Sequence, residues 1–430
     1  MNLRVLLILV CMLARSRIDS LIVKVNKDAI SIGRQNWESC RRPDDVPFTS
    51  FDFIYALEDT GCACSNSGWN PMHLSLHADD NANSPPLGIL PLYAKDHSHG
   101  EFIFDNEWAE AALDNGISYF PKLLSHIPFT PVTTRKLLLS PTAGVKEEEA
   151  QSHVLAFLRD LAREDNYGSV HLLFTDEGES EGLGGGEFHL RKSLQWHFKN
   201  EVGGEGGGGR KYTNFDHYLA NFKSKRRISI RSERRKVREN YGIRIDSIEG
   251  KLIREIPGIA AVMFRLYEHT VDKMTPLGRL YLNKRFFDAL IDSAFCDNVV
   301  LIVARKEGNC DSSTIRAEDI IAGTFNVIGN KGEFFGRYWG SFLDDVPFLH
   351  FDVCYYSAIE YVIEKGLEKM EPGAGGGEFK FIRGFNPASV SSSHFIVHPE
   401  LRKTVSEIIA GEAEGISAVQ ESAKSALKKR

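Results

Sequence analysis

Residues 320–339 read IIAGTFNVIGNKGEFFGRYW, and this stretch decides the fold class. Two runs rich in β-branched and aromatic residues, 320–328 and 333–339, flank the turn signal GNKG at 329–332. We therefore predict a β-hairpin here. The apolar run at 299–305 predicts a further strand before it.

Outward from the hairpin, apolar residues recur at helical spacing on both sides. Helices are predicted at 214–222, 256–269 and 284–295, and then at 352–370. A closing strand is predicted at 379–385, and the polar segment from residue 400 onward is predicted to be a peripheral helix. Helices, a meander, a helix and a final strand predict a mixed α/β layer fold.

The N-terminal half shows the same mixture of patterns. Strands are predicted at 20–25 and 170–175, a hairpin at 71–77 and 87–94, and an extended chain at 119–132. Helices are predicted at 51–58, 107–115 and 147–164. Gly-rich stretches near 182–186 and 203–209 lack the GxxxxGK[ST] pattern of a phosphate loop. We interpret them as surface insertions near a boundary between two lobes.

The composition is that of an ordinary globular chain, because 42% of the 430 residues are hydrophobic and 26% are charged. The net charge of −6 excludes a polycation, so any contact with nucleic acid is local. The seven scattered cysteines predict neither a metal cluster nor a disulfide framework.

The first twenty residues stand apart as a targeting segment. The apolar run 5–14 is too short to span a bilayer but fits the core of a signal peptide, and Ala14 and Ser16 offer small residues for cleavage. An organellar transit segment of the plastid type and a misassigned start are the alternatives; without targeting the protein would be cytoplasmic. No later stretch is predicted to cross a membrane.

The segment 223–238, KSKRRISIRSERRKVR, holds nine Lys or Arg residues and one Glu. Guanidinium groups pair bidentately with phosphate oxygens, so this segment is a candidate phosphate-binding helix. Its ligand would be the phosphates of coenzyme A or a nucleic-acid backbone. A solvated basic helix is the alternative. The candidate residues are Arg226, Arg227, Arg231, Arg234 and Arg235.

A second group of titratable residues directly follows the predicted strand 87–94. Two histidines at positions i and i+2 of an extended chain face the same side, where they could bind a ligand or act as acid and base. A hydrogen-bonded polar loop is the alternative, and we assign no metal. The candidate substrate-binding residues are Lys95, His97, His99 and Glu101.

A third group combines Tyr338 and Trp339 with His350 and Asp352. Aromatic residues beside polar ones are typical of a binding wall, and equally of an aromatic core strand. Asp352 also suits the N-cap of the helix predicted after it.

A fourth group begins with the glycine run 373–377, which allows the backbone to approach a ligand closely. A linker is the alternative. In the strand predicted after it, Glu378 and Lys380 share one face and Arg383 lies on the other.

Several long motifs stand in order along the chain. They are PLYAKDHSHGEFIFDNEWAEA (91–111), YFPKLLSHIPFTPV (119–132), QWHFKN (195–200), KRRISIRSERRKV (225–237), GRYWG (336–340), HFDVCYYSAIEYVIEKG (350–366) and EFKFIRGF (378–385). Together they resemble the FemAB-like family of N-acyltransferases, often labelled for peptidoglycan biosynthesis or recognition. The resemblance covers roughly residues 21–398.

The resemblance implies a pair of GNAT-like acyltransferase lobes, which we place at 21–200 and 211–398. The targeting segment 1–20, a Gly-rich insertion at 201–210 and a helical tail at 399–430 complete the division. One motif departs from the family. Its form is close to GAQGEHK, whereas residues 373–380 read GAGGGEFK, with one extra residue and neither Gln nor His.

The activity implied is transfer of an acyl or aminoacyl group from an activated donor to a small-molecule or peptidyl amine. No cofactor is expected to be bound permanently, and acyl-CoA is the expected co-substrate, held by the arginines. Asp352 or Glu378 would be the base, with His350 as a further candidate. Lys380 and Arg383 would position a carboxylate or the oxyanion.

Two alternatives stay open. The altered GAGGGEFK segment favours a non-catalytic module that binds peptidoglycan or an aminosugar polymer. The basic segment favours a transferase that uses aminoacyl-tRNA, as the Fem enzymes do, or an RNA-binding protein.

Overall fold

The structure is a computed structural model that describes residues 21–81, 84–183, 187–202, 209–274, 278–306 and 314–427. The predicted targeting segment 1–20 lies outside these residues, as does most of the predicted insertion 201–210. Among the described residues, no helix combines the length and the apolar composition that crossing a bilayer requires.

Strands and helices alternate along the chain. The strands are β1 (Ile22–Asn26), β2 (Trp69–Pro71), β3 (His73–His77), β4 (Gly88–Leu90), β5 (Tyr93–Lys95), β6 (Lys122–Ser125), β7 (Leu138–Leu139), β8 (Ser169–Thr175), β9 (His189–Lys199), β10 (Ile243–Glu249), β11 (Val299–Lys306), β12 (Ile320–Ile328), β13 (Glu333–Ser341), β14 (Lys369–Glu371) and β15 (Asn386–Ile396).

The α-helices are α1 (Ala29–Ile32), α2 (Arg34–Ser39), α3 (Phe51–Asp59), α4 (Asn106–Asp114), α5 (Glu147–Glu164), α6 (Glu177–Leu183), α7 (Phe215–Leu219), α8 (Ser224–Arg235), α9 (Gly250–Arg254), α10 (Ile259–Lys273), α11 (Lys284–Asp292), α12 (Leu349–Phe351), α13 (Ser357–Glu364), α14 (Glu378–Phe381) and α15 (Pro399–Leu427). π-Helical turns follow α8 at Lys236–Asn240 and α12 at Asp352–Tyr356.

Two predictions near the C-terminus are wrong. The segment predicted as the strand 379–385 begins with the short helix α14, which ends at Phe381. The helix predicted over 352–370 ends at Glu364, because Gly366 takes a positive φ of 63° and a buried strand, β14, follows. The predicted hairpin at 320–339 is confirmed by β12 and β13, which pair antiparallel.

The chain divides into two compact units, and unit 1 comprises the described residues within 1–193 and 389–416. One of its sheets has the order β1-β3-β4-β7, and the second has the order β15-β8-β6-β5-β2. In the second sheet β6 and β8 run parallel, while the other pairs are antiparallel. Apolar residues of this sheet, such as Leu123 and Val170, share a core with Phe157 and Leu161 of α5.

The opposite face of this second sheet is polar although it is buried. Register pairs Trp69 with Lys95 and Lys95 with Lys122, so these three side chains lie on one face. His171 on β8 and His394 on β15 are partners in the same way, and all five residues are at most 2% exposed. We call this the polar face of unit 1.

Unit 2 comprises the described residues within 194–388 and 417–430. Its sheet has the order β10-β11-β12-β13-β14-β9, in which β13 and β14 are parallel and the other neighbours antiparallel. A core of Phe334, Val353, Ile359 and Met370 lies against one face, together with the apolar side of α7 and α8. Helices α10 and α11 contact β13 and each other on the other side.

Candidate active site

The basic segment forms helix α8, and most of its predicted phosphate ligands are engaged within unit 2. The Arg226 Nε donates to the Ile382 carbonyl at 2.9 Å, and Arg227 donates to the Phe222 carbonyl at 2.7 Å. Arg231 pairs with Asp216 at 2.8 Å on the surface. Internal partners of this kind lower the number of guanidinium groups that are available to a ligand.

Arg234 and Arg235 differ sharply in their surroundings. Arg234 pairs with Asp352 at 3.2 Å and with Glu360, and its guanidinium lies 4.4 Å from the centre of the Phe215 ring. Burial would lower its pKa, yet the two carboxylates raise it. Arg235 is exposed and has no partner among the residues that the structure describes.

Glu233, the one acid in the basic segment, is a buried junction. Its carboxylate accepts hydrogen bonds from Ser229 at 3.0 Å and from Arg383 at 3.1 Å, and it also accepts one from the Tyr356 hydroxyl. Arg226 pairs with the same carboxylate at 3.4 Å. Through Glu233, helix α8 is therefore tied to the segment that follows α14.

The two predicted carboxylate bases lie in opposite environments. The Asp352 side chain is fully buried and is paired with Arg234 and, at 3.1 Å, with Arg238. Such a carboxylate anchors the π-helical turn that it begins. Glu378 is exposed at the start of α14, and its carboxylate makes no ion pair or hydrogen bond with the described residues.

His350 lies in an aromatic environment. Its ring centre is 5.3 Å from those of Trp339 and Tyr355 and 5.4 Å from that of Phe351. Burial, aided by the positive charges of Arg383 and Lys380, lowers the pKa of His350 to about 4. The imidazole is therefore neutral at physiological pH, and within the described parts of the chain it has no hydrogen-bond partner.

The glycine run 373–377 is a loop held by Lys380. The ammonium group donates to the carbonyls of Gly373 at 2.9 Å and Gly375 at 2.7 Å, and burial lowers the pKa of Lys380 to about 8. Gly376 has a φ of 71°, and a Cβ there would lie 2.4 Å from the Phe379 ring. Only glycine fits this position without a shift of the neighbouring ring.

A buried polar group lies beside this loop. Arg337 donates to the carboxylate of Glu371 at 2.5 Å. Burial lowers the pKa of His197 to about 4, against the opposing effect of the Glu371 charge. His197 belongs to the motif QWHFKN, so the structure brings this motif into the same unit as the glycine loop.

Strand β13 has a β-bulge at Tyr338, and the side chains of Tyr338 and Trp339 have different neighbours. Phe325 pairs with Arg337 and Thr324 pairs with Trp339, which leaves Tyr338 as the extra residue, with a φ of 41°. Tyr338 packs among core rings that include Phe287 of α11, whereas Trp339 contacts His350 on the other face. Of these two predicted binding residues, only Trp339 lies beside His350.

Arg383, predicted to bind substrate, is 4% exposed and stacks on the Phe351 ring at 3.4 Å. One Nη donates to the Phe379 carbonyl at 2.9 Å and the other to Glu233. The Phe351 ring therefore contacts both Arg383 and His350.

The predicted group at 95–101 lies in unit 1. Lys95 is buried on the polar face, and its Nζ donates to the His99 carbonyl at 3.1 Å and lies 3.6 Å from Glu101. The rings of His97 and His99 are 4.8 Å apart near the surface. No three potential metal ligands cluster anywhere in the described ranges.

Sequence reasoning missed Glu233, Tyr356 and His197. Glu233 could have been noticed from the sequence, because it is the single acidic residue among nine Lys and Arg residues. It lies seven residues, about two helical turns, after Arg226, and therefore on the same side of the helix. Tyr356 and His197 carry no such signal, because an aromatic or a histidine inside an apolar run reads as core.

Solved structures of low sequence identity resemble this chain over most of its length. The C-terminal domain (DUF2156) of a protein described as a lysylphosphatidylglycerol synthetase, from Agrobacterium fabrum, matches with a TM-score of 0.50 and 10% identity, over 89% of this chain and 97% of that chain. A crystal structure of FemX matches with a TM-score of 0.46 and 12% identity, over 80% and 92% of the two chains.

A GCN5-related N-acetyltransferase from Kribbella flavida matches with a TM-score of 0.28 and 10% identity, over 73% of this chain and 89% of that chain. The predicted fold class, α/β with mixed sheets flanked by helices, is confirmed by the strands and helices of the two units.

The family is defined by the sequence match. The FemAB-like family model, described as peptidoglycan biosynthesis/recognition, matches residues 28–429. The chain therefore belongs to the FemAB-like family, and the predicted resemblance is confirmed. Among curated proteins, none matches the sequence significantly.

Proposed function

We propose that the protein is an N-acyltransferase that moves an acyl or aminoacyl group from a phosphate-bearing donor, acyl-CoA in the first instance, to an amine. Membership of the FemAB-like family and the GNAT-like fold support a transferase. The observation that carries the proposal is the neutral imidazole of His350, which has no hydrogen-bond partner among the described residues and lies beside Trp339 and Arg383.

In the proposed reaction the amine nitrogen attacks the carbonyl carbon of a thioester and the C–S bond breaks. The amine must lose a proton as the new C–N bond forms; a neutral imidazole accepts this proton and passes it to the departing thiolate sulfur, which leaves as the free thiol. Of the three candidate bases, Asp352 is buried between two arginines and Glu378 is exposed without a positioning contact. His350 is the remaining candidate, and we assign it the role of base.

The glycine loop and Lys380 are assigned to the carbonyl of the donor. Two of the three ammonium protons of Lys380 bond to loop carbonyls, so one remains to stabilise the oxyanion. Backbone without side chains at 375–377 lets a donor approach closely. Arg383 holds the ring of Phe351, which is next to His350 in sequence.

The donor phosphates are assigned to the outer surface of helix α8. Arg235 is exposed there, and Lys223, Lys225 and Lys236 are exposed on the same segment. The arginines that face inward are committed to Glu233 and Asp352. Phosphate recognition by α8 therefore depends on its outward cations rather than on the whole basic run.

Thiol release measures the proposed activity directly. The purified chain is incubated with acyl-CoA thioesters and a panel of amines. His350→Gln, which removes the base, is expected to lower turnover by about a hundredfold. His217→Gln, on helix α7 in the same unit, is the matched control and should leave the rate unchanged. Equal turnover by the His350→Gln protein and the wild type would remove His350 from the mechanism.

A second donor is favoured by the spacing of the outward cations. Lys225, Arg235 and Lys236 are spread along a helix of several turns, which suits an extended polyanion such as aminoacyl-tRNA. Transfer from aminoacyl-tRNA with no release from any acyl-CoA would identify that donor. Binding of a peptidoglycan polymer without transfer from either donor would identify a binding module instead.

A further inference from the structure

The polar face of unit 1 carries two buried lysines side by side. Lys95 on β5 and Lys122 on β6 are register partners, and their side chains are fully buried. Lys95 Nζ also lies 3.6 Å from the ring centre of Trp69. Burial lowers the pKa of Lys95 to about 7, and the charge of Glu101 opposes this effect. Two adjacent buried amines therefore need counter-charges to stay protonated, because an unpaired buried charge is costly.

One loop supplies every polar contact that the structure shows for these two ammonium groups. Lys122 Nζ donates to Ser98 Oγ at 2.8 Å, to Glu101 Oε2 at 2.8 Å and to Asp105 Oδ2 at 2.6 Å. The polar contacts of Lys95 likewise fall within residues 97–101. We call residues 96–105 the covering loop.

The interface beneath the covering loop is incompletely satisfied. Trp69 Nε1, both ring nitrogens of His126 and Asp105 Oδ1 are buried without a hydrogen-bond partner among the described residues. Glu101 Oε1 has no hydrogen bond there either, but it forms the ion pair with Lys95 at 3.6 Å. The His126 ring lies 6.1 Å from that of Trp69. Each such atom costs about 1–3 kcal/mol unless something bonds to it. The hydrogen-bond donors Trp69 and His126, together with the ammonium groups of the two lysines, form a site that suits carboxylate oxygens.

The covering loop is also strained and apolar on its outside. Phe102 adopts a φ of 57°, a left-handed conformation that is unfavourable for an aromatic residue. Phe104 is 79% exposed. Gly100 has a φ of 80°, and a Cβ there would lie 2.7 Å from the Phe129 ring. Strain of this kind persists only where other contacts impose it. Here these contacts include the ion pairs to the lysines, a bond of 3.0 Å from Arg191 to the Phe104 carbonyl and a bond of 2.7 Å from the Tyr119 hydroxyl to Asp105.

We propose that the polar face of unit 1 binds a small dicarboxylate, whose two carboxylates replace those of Glu101 and Asp105 on Lys95 and Lys122 when the covering loop opens. The two negative charges of the ligand equal those of the Glu101 and Asp105 carboxylates that it displaces. Trp69 Nε1–H and a nitrogen of His126 then donate to its remaining oxygens. This site does not depend on the proposed transferase activity.

The test uses the full chain with succinate as the probe. Glu101→Gln keeps the shape of the side chain but removes one competing carboxylate, so the open loop is more populated. Apparent affinity rises in proportion to the competent fraction. We expect the succinate Kd of Glu101→Gln, from thermal shift and calorimetry, to be about tenfold lower than that of the wild type.

Two controls separate this site from general charge effects. Succinamide, which is neutral and of similar size, should not bind. Glu371→Gln removes an equally buried glutamate, paired with Arg337 in unit 2, and should gain no affinity for succinate. Equal affinity in the wild type and Glu101→Gln, or an equal gain in Glu371→Gln, overturns the proposal.

Hydrogen exchange on the wild type keeps the proposal testable if Glu101→Gln does not fold. A ligand that displaces the covering loop should make amides 96–105 exchange faster at saturating succinate, while those of β6 stay protected. Most ligands slow exchange at their site, so acceleration distinguishes displacement from ordinary binding. Unchanged or slower exchange of residues 96–105 refutes it.

Discussion

Replacing Glu233 by Gln is expected to destabilise unit 2 far more than any surface change. The Glu233 side chain is 8% exposed, and its carboxylate is paired with Arg383 at 3.1 Å and with Arg226 at 3.4 Å. Gln keeps the size of the side chain but leaves the buried guanidinium of Arg383 without its counter-charge. Removing one partner of a buried ion pair costs about 3 kcal/mol or more.

That cost can be converted into a thermal shift. For a unit of this size, 1 kcal/mol corresponds to about 2–4 °C, so Glu233→Gln should lower the unfolding midpoint of unit 2 by about 6–12 °C. Differential scanning calorimetry resolves the transition directly. Glu378→Gln is the matched control, since Glu378 is exposed and unpaired among the described residues, and it should shift the midpoint by no more than about 2 °C.

A small shift in Glu233→Gln would refute the reasoning. If the mutant and the control unfolded at the same temperature, the contacts of Glu233 would contribute no net stability. Arg383 would then be satisfied by the Phe379 carbonyl and the Phe351 ring alone.

Two other predictions follow from the backbone and from burial. Gly376→Ala places a Cβ against Phe379 at positive φ and should lower the free energy of unfolding by about 1–2 kcal/mol. Gly411→Ala, on an open helix surface, should raise the free energy of unfolding by about 1 kcal/mol. Urea titrations that give the same sign for both substitutions would contradict this prediction. Burial lowers the pKa of Lys95 from 10.5 to about 7, so between these values the unfolded chain binds more protons than the folded one. The free energy of unfolding should therefore rise with pH from about 7 toward 10. Lys95→Met should flatten that rise, which denaturant titrations at several pH values measure. If the dependence of the free energy on pH is the same in Lys95→Met and the wild type, Lys95 does not titrate in this range.

Hairpins and long helices could be predicted from the sequence, because their patterns are local. The GNKG turn and its flanking apolar runs specify β12 and β13 without reference to the rest of the chain. Helix α5 begins at Glu147 and ends at Glu164, where the helical period begins and ends.

The segment after the glycine run was predicted wrongly because its alternation is ambiguous. In EFKFIRGF, polar and apolar residues alternate as in a strand, yet the amides of Phe381 and Ile382 donate to the carbonyls of Gly377 and Glu378 and close a helical turn. The Lys380 side chain folds back onto the carbonyls of Gly373 and Gly375. A bond between a side chain and a loop that precedes it leaves no periodic signal.

The candidate site was only partly predictable for a related reason. Spacing placed cations on α8, but it could not show which of them meet Glu233 or Asp352, since those partners come from other elements. Asp352 was predicted as a base from the activity that the family resemblance implies; its burial between Arg234 and Arg238 depends on tertiary packing.

The extra residue in β13 sets which side of the sheet receives the indole of Trp339. Side chains of a strand alternate, so one inserted residue reverses the phase of everything after it. Phe335 and Arg337 precede the insertion on one side, and Trp339 follows it on the other. The position of Trp339 beside His350 therefore depends on the number of residues in β13 as well as on their types. A deletion in this strand would move the indole to the other face of the sheet, whereas a substitution would not.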